Sequence, residues 1–145
     1  MEEKVRLSLL LKMVNNVFER ELNNKSYKIG LTSTQCRIIG FLDMHRDKLI
    51  NPIDIEREFC LKRPTVTGVL KRLEEKGFVK ISQNFMDKRY KEIKLTNKAD
   101  KLIENMRENL FQTEKILYKN LTKVDKEELY RILKIMLDNF ELKKF

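Results

Sequence analysis

Glycine and proline are scarce in this 145-residue chain, which contains four Gly and two Pro. So few turn formers leave little room for a turn-rich β-sandwich or for an active site built on loops. One His and two Cys, Cys36 and Cys60, are also too few for a disulfide framework or for a zinc site rich in His and Cys. We therefore expect a single, mainly helical domain without a cofactor or a structural metal.

Long apolar runs are missing as well. The largely apolar segment Leu7–Leu11 follows Glu2 and Glu3 and is interrupted by Lys12, so it lacks the basic start of a signal peptide. No segment approaches the ~20 apolar residues that a membrane-spanning helix needs. Unpaired cysteines are typical of a reducing compartment. These absences predict a soluble, cytoplasmic protein that does not contact membranes.

Positive charge, by contrast, is in excess: 31 Lys and Arg against 22 Asp and Glu give a formal net charge of +9. Residues 61–96 carry ten basic and only four acidic side chains, so this segment holds most of the excess. A charge run is often no more than the solvated face of a helix. A positive segment this concentrated nevertheless indicates an anionic partner such as nucleic acid.

Hydrophobic residues spaced three and four apart predict long helices towards both ends of the chain. The predicted spans are residues 5–27, 31–45, 97–121 and 125–140. The hydroxyl-rich segment Leu31–Gln35 is typical of a helix start, and Asp125 is the expected N-cap of the last helix.

Two shorter helices are predicted in the middle of the sequence. Asn51 is a good N-cap and Pro52 suits a first turn, which predicts a helix over residues 52–59. Pro64 begins a second helix that ends before Gly77, and its hydrophobic positions fall on one side while the other side is polar and basic. Two short helices joined by a tight turn, with such an outward face, form the helix-turn-helix pattern.

A β-hairpin is predicted directly after this pair. Residues 78–83 and 91–96 alternate between apolar and polar side chains, and the basic segment 84–90 separates them. A two-stranded ribbon behind a recognition helix is called a wing. The predicted element order is α-α-α-α-β-β-α-α, a mainly α fold with a small β-wing.

These motifs resemble the winged helix-turn-helix of the MarR family, the multiple-antibiotic-resistance regulators. The resemblance is carried by the segments Arg63–Thr67 and Leu73–Val79, and by Asp87 and Arg89, which stand five residues before Leu95–Thr96. It implies a DNA-binding winged helix-turn-helix at residues 31–96, flanked by N- and C-terminal dimerisation helices at residues 1–30 and 97–145.

The same resemblance implies a homodimeric repressor of transcription. Such a protein binds a palindromic operator in double-stranded DNA and is released by a small amphipathic or phenolic effector. An enzyme is disfavoured, because the sequence contains no Gly-rich phosphate loop, no HExxH-type metal pair and no nucleophilic serine turn. The remaining alternative is a winged-helix module that binds other proteins and never contacts DNA.

Four positions depart from the family pattern. Glu56 stands where a small residue usually packs between the two helices, and Cys60 stands at a turn position commonly held by Gly. Lys62 replaces a Ser-type N-cap, which predicts a weakly capped recognition helix. Gly68 stands where many relatives have a polar or basic side chain. It either allows a DNA strand to approach closely or is an ordinary small residue.

DNA contacts are expected from the recognition helix and from the wing. The candidate residues are Lys62, Arg63, Pro64, Thr65, Thr67, Gly68, Lys71, Asp87, Lys88 and Arg89. Arg63 is expected to form a bidentate hydrogen bond with a guanine in the major groove, and Arg89 is expected to enter the minor groove. Asp87 is expected to orient Arg89. Alternatively, Asp87 only caps the hairpin turn and Arg89 is solvated.

The resemblance also implies an effector pocket between the dimer helices and the winged unit. The candidates to line it are Met13, Phe18, Phe41 and Met44. Apolar residues at helical spacing, however, more often belong to a core. Cys36 and Cys60 lie among apolar residues and are interpreted as small hydrophobes rather than as redox sensors.

Overall fold

The computed structural model of the protein describes residues 6–27 and 29–140. Its elements are α1 (Leu7–Tyr27), α2 (Ser33–Met44), α3 (Pro52–Phe59), α4 (Arg63–Glu75), β1 (Val79–Gln83), β2 (Lys91–Leu95), α5 (Asn97–Leu117) and α6 (Lys123–Asp138). This order confirms the predicted mainly α fold with a two-stranded wing. The predicted start of the first helix at Val5 lies outside the described residues.

Side-chain caps define the starts of α2 and α3. The hydroxyl of Thr32 accepts a hydrogen bond from the backbone N–H of Gln35, and the side chain of Gln35 accepts one from the backbone of Thr32. Asn51 and Asp54 form the same reciprocal arrangement at α3. Each pair satisfies N–H groups that a helix start would otherwise leave without a partner. The predicted helix starts near Thr32 and at Asn51 are therefore confirmed.

The junction of α5 and α6 differs from the prediction. α5 ends at Leu117, so its predicted extension to Leu121 is wrong. The chain instead turns through Asn120, whose φ of 68° lies in the left-handed region that Asn tolerates better than most residues. Thr122 rather than Asp125 is the N-cap of α6, and the carboxylate of Asp125 accepts a hydrogen bond from the backbone N–H of Thr122 at 2.8 Å. Hydrogen bonds from Thr122 lower the pKa of Asp125.

The hydrophobic core lies beneath the helix-turn-helix. α4 contributes Val66, Leu70 and Leu73, each at most 2% exposed, which confirms its predicted apolar face. The other buried members of this core are Leu31, Ile38, Ile39, Leu42, Ile50, Ile55, Phe78, Val79, Ile93, Ala99, Ile103 and Met106. Because one side of α4 is anchored in this way, its polar side faces solvent in a fixed orientation.

The wing is attached to the rest of the domain at its base. β1 and β2 are antiparallel, with Val79 opposite Leu95. Gly77 has a φ of 80° and turns the chain out of α4 into β1, as its position predicts. The N–H of Ile93 donates to the carbonyl oxygen of Ile50 at 3.0 Å, which ties β2 to the connection between α2 and α3. The wing is thus fixed to both sides of the helix-turn-helix.

The outer helices carry much exposed apolar surface. α1 packs against α2 and α5, whereas none of the residues of α6 has a buried side chain. The exposed large apolar side chains on these two helices are Leu7, Leu9, Leu10, Leu11, Met13, Val14, Val17, Val124, Leu129, Tyr130, Ile132, Leu133 and Ile135. Even so, within the described residues no helix has both the length and the apolar sequence that a bilayer crossing requires.

Candidate nucleic-acid interface

The polar face of α4 is open to solvent. Its predicted contact residues are all exposed: Lys62, Arg63, Pro64, Thr65, Thr67, Gly68 and Lys71. Lys62 precedes the helix as its N-cap residue and makes no side-chain hydrogen bond to it, which confirms the predicted weak capping. The positive end of the α4 dipole is therefore left available to an anion.

Arg63 is held by an acidic side chain from the neighbouring helix. The Nε atom of Arg63 lies 3.4 Å from Oε1 of Glu56 on α3. The Arg63 side chain is 78% exposed and that of Glu56 only 15% exposed. Within the described chain the two terminal nitrogens of Arg63 make no hydrogen bond, so they keep the pair of donors that a guanine edge accepts.

Gly68 has no packing role within its own chain. A Cβ atom added at this position meets no atom within 4 Å. A glycine in a helix interior costs about 1 kcal/mol relative to alanine. The fold therefore does not require the missing side chain at Gly68, and both interpretations given above stay predictions.

The tip of the wing is an ordered turn. The side-chain oxygen of Asn84 accepts hydrogen bonds from the N–H groups of Met86 at 2.8 Å and Asp87 at 3.1 Å. The N–H of Asn84 donates to the carbonyl oxygen of Tyr90 at 2.8 Å and closes the loop. These hydrogen bonds fix the backbone of the wing tip.

Asp87 contacts Arg89 through both of its carboxylate oxygens. The Nε of Arg89 lies 3.1 Å from Oδ1 and its Nη2 lies 2.9 Å from Oδ2. The same carboxylate accepts a bond from the backbone N–H of Arg89, so Asp87 contributes to the turn as well as to the pair. Hydrogen bonds from Arg89 lower the pKa of Asp87. The Arg89 side chain remains 85% exposed, so it is both oriented and accessible.

One cleft of about 310 Å³ brings the recognition helix and the wing together. Arg63 and Thr67 line it from α4, and Arg89, Tyr90 and Lys91 line it from the wing. The remaining candidates, including Lys71 and Lys88, do not line it. The recognition helix, predicted to bind the major groove, and the wing, predicted to bind the minor groove, thus share a single cationic surface.

A second, mostly apolar cavity of about 350 Å³ lies between α2, α3 and α5. Of the four residues predicted for an effector pocket, Phe41 and Met44 line this cavity, and Met13 and Phe18 of α1 do not. The effector pocket itself stays a prediction. Met13 is 52% exposed, and the ring of Phe18 instead lies 5.5 Å from the guanidinium carbon of Arg37.

Charged side chains link α2 to α5 at the edge of this cavity. Asp43 pairs with Arg107 of α5 and with Arg46, and Arg46 also pairs with Asp100 of α5. The two α5 partners, Asp100 and Arg107, are exposed, whereas the Asp43 side chain is only 11% exposed. This network couples the winged unit to the long outer helix.

The two cysteines have different surroundings. Cys36 is partly buried and lines the apolar cavity, in agreement with its interpretation as a small hydrophobe. Cys60 is exposed, so the same interpretation is wrong for it. It ends α3 in the left-handed conformation with a φ of 51°, which directs the chain into the tight turn and out of the core.

Comparison with known proteins identifies the fold. The MarR family model matches residues 29–89. The crystal structure of the transcription regulator MarR from Oenococcus oeni is 32% identical, with a TM-score of 0.80, and the match covers 91% of this chain and 98% of that one. The chain belongs to the MarR family.

Two further similar proteins agree with this assignment. The transcriptional regulator YwoH of Bacillus subtilis is 30% identical over 81% of this chain and 84% of its own length. The S. aureus MepR–DNA complex has a TM-score of 0.83 and 26% identity, covering 92% of this chain and 96% of that one. The protein is therefore a DNA-binding transcriptional regulator, and the prediction that it is not an enzyme is confirmed by its family.

Sequence reasoning about this MarR-family protein missed two features of the interface. It treated Glu56 only as a departure from the family pattern, and it did not consider Lys91. The position of Lys91 at the start of the predicted second wing strand was a usable signal, since it lies directly beside the wing tip. No sequence signal linked Glu56 to Arg63, because their contact crosses the turn between two helices.

Proposed function

We propose that this protein is a homodimeric repressor that binds a palindromic operator and is released by a small effector. The cleft shared by Arg63, Thr67 and Arg89 carries this proposal. The major groove is wide enough for a helix such as α4, and a narrow minor groove attracts an exposed arginine such as Arg89. A repressor acts where its operator lies, so we place the protein in the cytoplasm.

The residues of the cleft and its borders have distinct proposed roles. Arg63 reads a guanine, Thr65 and Thr67 contact phosphate or a thymine methyl group, and Gly68 lets the backbone come close to a strand. The remaining proposed contacts are the phosphate neighbours Lys62, Pro64, Lys71 and Lys88, and the Asp87–Arg89 pair at the minor groove. Release of counterions from phosphates supplies most of the sequence-independent affinity.

A second copy of the chain is the proposed partner of the outer helices. Apolar surface gains about 25 cal/mol for each Å² removed from water, so the exposed side chains of α1 and α6 favour association. In the sequence these helices flank the winged unit, and we infer that a twofold partner bound to them aligns two recognition helices on one face of the duplex.

The proposed effector site is the apolar cavity between α2, α3 and α5. Phe41 and Met44 offer apolar contacts there, and Arg107 offers a charged group at its edge. A small amphipathic ligand that prefers one spacing of the two winged units shifts the population away from the DNA-bound spacing. The ligand thus weakens operator binding without touching DNA.

Selection of DNA from a random library by the purified protein tests the proposal. We expect an inverted repeat with half-sites about 10 bp apart and a log–log dependence of affinity on salt with a slope near −7 for about eight neutralised phosphates. Sedimentation should show two chains per operator. The proposal is contradicted if no sequence is enriched, or if the affinity for DNA does not depend on salt concentration.

A pair of double variants provides the matched comparison. Lys71→Ala with Arg89→Ala should reduce affinity and flatten the salt slope by about 2. Lys115→Ala with Lys119→Ala removes the same charge from the last turn of α5 and from the connection that follows it, and should leave both quantities close to wild type. Equal effects of the two pairs would show that only net charge matters.

A further inference from the structure

The wing tip carries two apolar side chains that the proposed contacts do not use. Phe85 is 97% exposed and Met86 is 89% exposed, more than any other large apolar side chain in the described part of the chain. They are adjacent, and the hydrogen bond from the Met86 N–H to Asn84 holds them in the ordered turn. A phenyl ring and a thioether fully exposed to water gain free energy when a partner covers them.

The surroundings of this pair identify the class of partner. Asp87 follows the pair directly and forms a salt bridge with Arg89. Lys88 and Arg89 come next, and their side chains are exposed, so the charge beside the pair is net positive. The residues just beyond, Tyr90 and Lys91, line the same cleft as Arg63. The apolar pair is therefore continuous with the cationic DNA-facing surface, and its flanking charges complement a phosphate backbone rather than a basic protein surface.

We propose that Phe85 and Met86 form an apolar wedge that enters the minor groove and partly unstacks one base step. This inference rests on the proposed binding of operator DNA by the wing. Minor-groove proteins use Phe, Leu, Ile, Met or Pro in this way, and the inserted side chain exchanges water for base faces while the duplex bends. Arg89 supplies the charge, and the wedge supplies the apolar contact next to it.

The wedge gives the wing a source of sequence preference that needs no hydrogen bond to a base. Pyrimidine–purine steps such as TA and CA unstack most easily, so the deformation costs least there. We expect the selected operators to contain such a step beneath each wing, outside the base pairs that α4 reads. Replacing a TA step at this place with the less flexible AT step, which keeps the base composition, should weaken binding by the wild-type protein.

Fluorescent operators test the wedge directly. 2-Aminopurine placed at successive positions beneath the wing brightens when its stacking is lost. Wild type should brighten it at one step, and Phe85→Ala with Met86→Ala should abolish this signal and weaken binding about 10-fold, as expected for the loss of a base–aromatic contact. The salt slope should not change, because no charge is removed.

Two further variants and a melting experiment distinguish the effect of apolar contact on DNA binding from the effects of charge and of folding. Phe85→Leu with Met86→Leu keeps the apolar volume and should retain most of the affinity and the fluorescence change. Lys88→Ala should flatten the salt slope by about 1 while keeping the fluorescence change. Thermal melting of the alanine pair should match wild type, because both side chains are exposed.

Four results overturn the wedge. If the wild type binds DNA without brightening any position, or if the alanine pair binds as wild type does, the wedge fails while operator binding stands. If the alanine pair lowers the oligomeric mass of the protein without DNA, Phe85 and Met86 form a contact between copies of the chain instead. If the wild type enriches no DNA at all, the proposed function fails and the wedge fails with it.

Discussion

Glu56 and Arg63 meet across the turn of the helix-turn-helix, with Oε1 of the acid 3.4 Å from Nε of the base. Asp87 and Arg89 form the corresponding pair at the tip of the wing. In both pairs the arginine is far more exposed than its carboxylate partner. Each acid therefore restricts an arginine that is directed at solvent, and the two arginines line one cleft.

Glu56→Ala should reduce discrimination between sequences more than it reduces affinity. Without the carboxylate, Arg63 loses its fixed orientation, and the surface also loses one negative charge that repels phosphates. We expect tighter binding to unrelated DNA and a smaller ratio between operator and unrelated DNA at equal salt. An exposed pair of this kind contributes less than ~1 kcal/mol to folding, so thermal melting should change little.

Two further variants decide whether position or charge is responsible. Glu56→Gln keeps an acceptor oxygen and should restore part of the discrimination. Glu75→Ala removes the same charge from an exposed site on α4 that does not line the cleft, and its discrimination should equal that of wild type. If Glu75→Ala matches Glu56→Ala, the orientation of Arg63 is irrelevant.

Gly68→Ala should stabilise the fold and weaken DNA binding at the same time. The added methyl group meets no atom of the protein, and alanine is favoured over glycine in a helix by about 1 kcal/mol. The melting temperature should therefore rise while operator affinity falls. Gly40→Ala is the matched control, since its Cβ is equally unobstructed in α2, and it should raise the melting temperature without affecting DNA binding.

The carboxyl group of Asp87 should titrate below its ordinary range in the folded protein. Hydrogen bonds from Arg89 depress its pKa. The stabilisation from this contact is therefore complete above the pKa of Asp in the unfolded chain and disappears as pH falls through the depressed value. Carbon-detected NMR titration should show the pKa rising in Arg89→Gln. Thr122→Ala should leave Asp87 unchanged and raise the pKa of Asp125 instead.

Cys60→Gly should increase stability. Cys60 adopts a left-handed conformation with a φ of 51°, which costs an L-residue roughly 1 kcal/mol and costs glycine almost nothing. The melting temperature should rise relative to Cys60→Ala, which removes the thiol but keeps the Cβ atom. A lower melting temperature in the glycine variant would show that the greater freedom of its unfolded chain outweighs the relief of strain.

Leu133→Asp should prevent self-association. Leu133 is 37% exposed on α6, and a charge placed in an apolar contact between copies has no compensating partner. Sedimentation should show a single chain, and operator affinity should fall steeply because one winged unit alone makes a small interface. Lys134→Asp places the same residue at an adjacent charged position. If it dissociates the protein equally, α6 does not associate through its apolar side.

Local chemistry predicted most of the fold because single residues determine most of its boundaries. Thr32 and Asn51 cap their helices by bonds to residues three positions away, and Gly77 turns the chain by its own φ angle. The end of α5 could not be predicted in the same way. Leu117 and Leu121 keep helical spacing, but the chain leaves the helix at Tyr118 and turns through Asn120.

The candidate site was predictable where it depended on one face of one element. The exposed face of α4 follows from burial of Val66 and Leu70 on the other side. Contacts between elements were not predictable from spacing. Examples are the salt bridge between Glu56 and Arg63 and the position of Met13 outside the apolar cavity. Such features depend on how helices are oriented, which hydrophobic periodicity does not specify.

The hydrogen bond between Ile93 and Ile50 has a mechanical consequence for regulation. It joins the hairpin to the segment that leads into α3, so a tilt of the two short helices carries the hairpin along as part of the same rigid body. An effector bound beneath this body would not separate the recognition helix from the wing. In the proposed mechanism, an effector therefore changes the distance between the DNA-binding units of two subunits and leaves each unit intact.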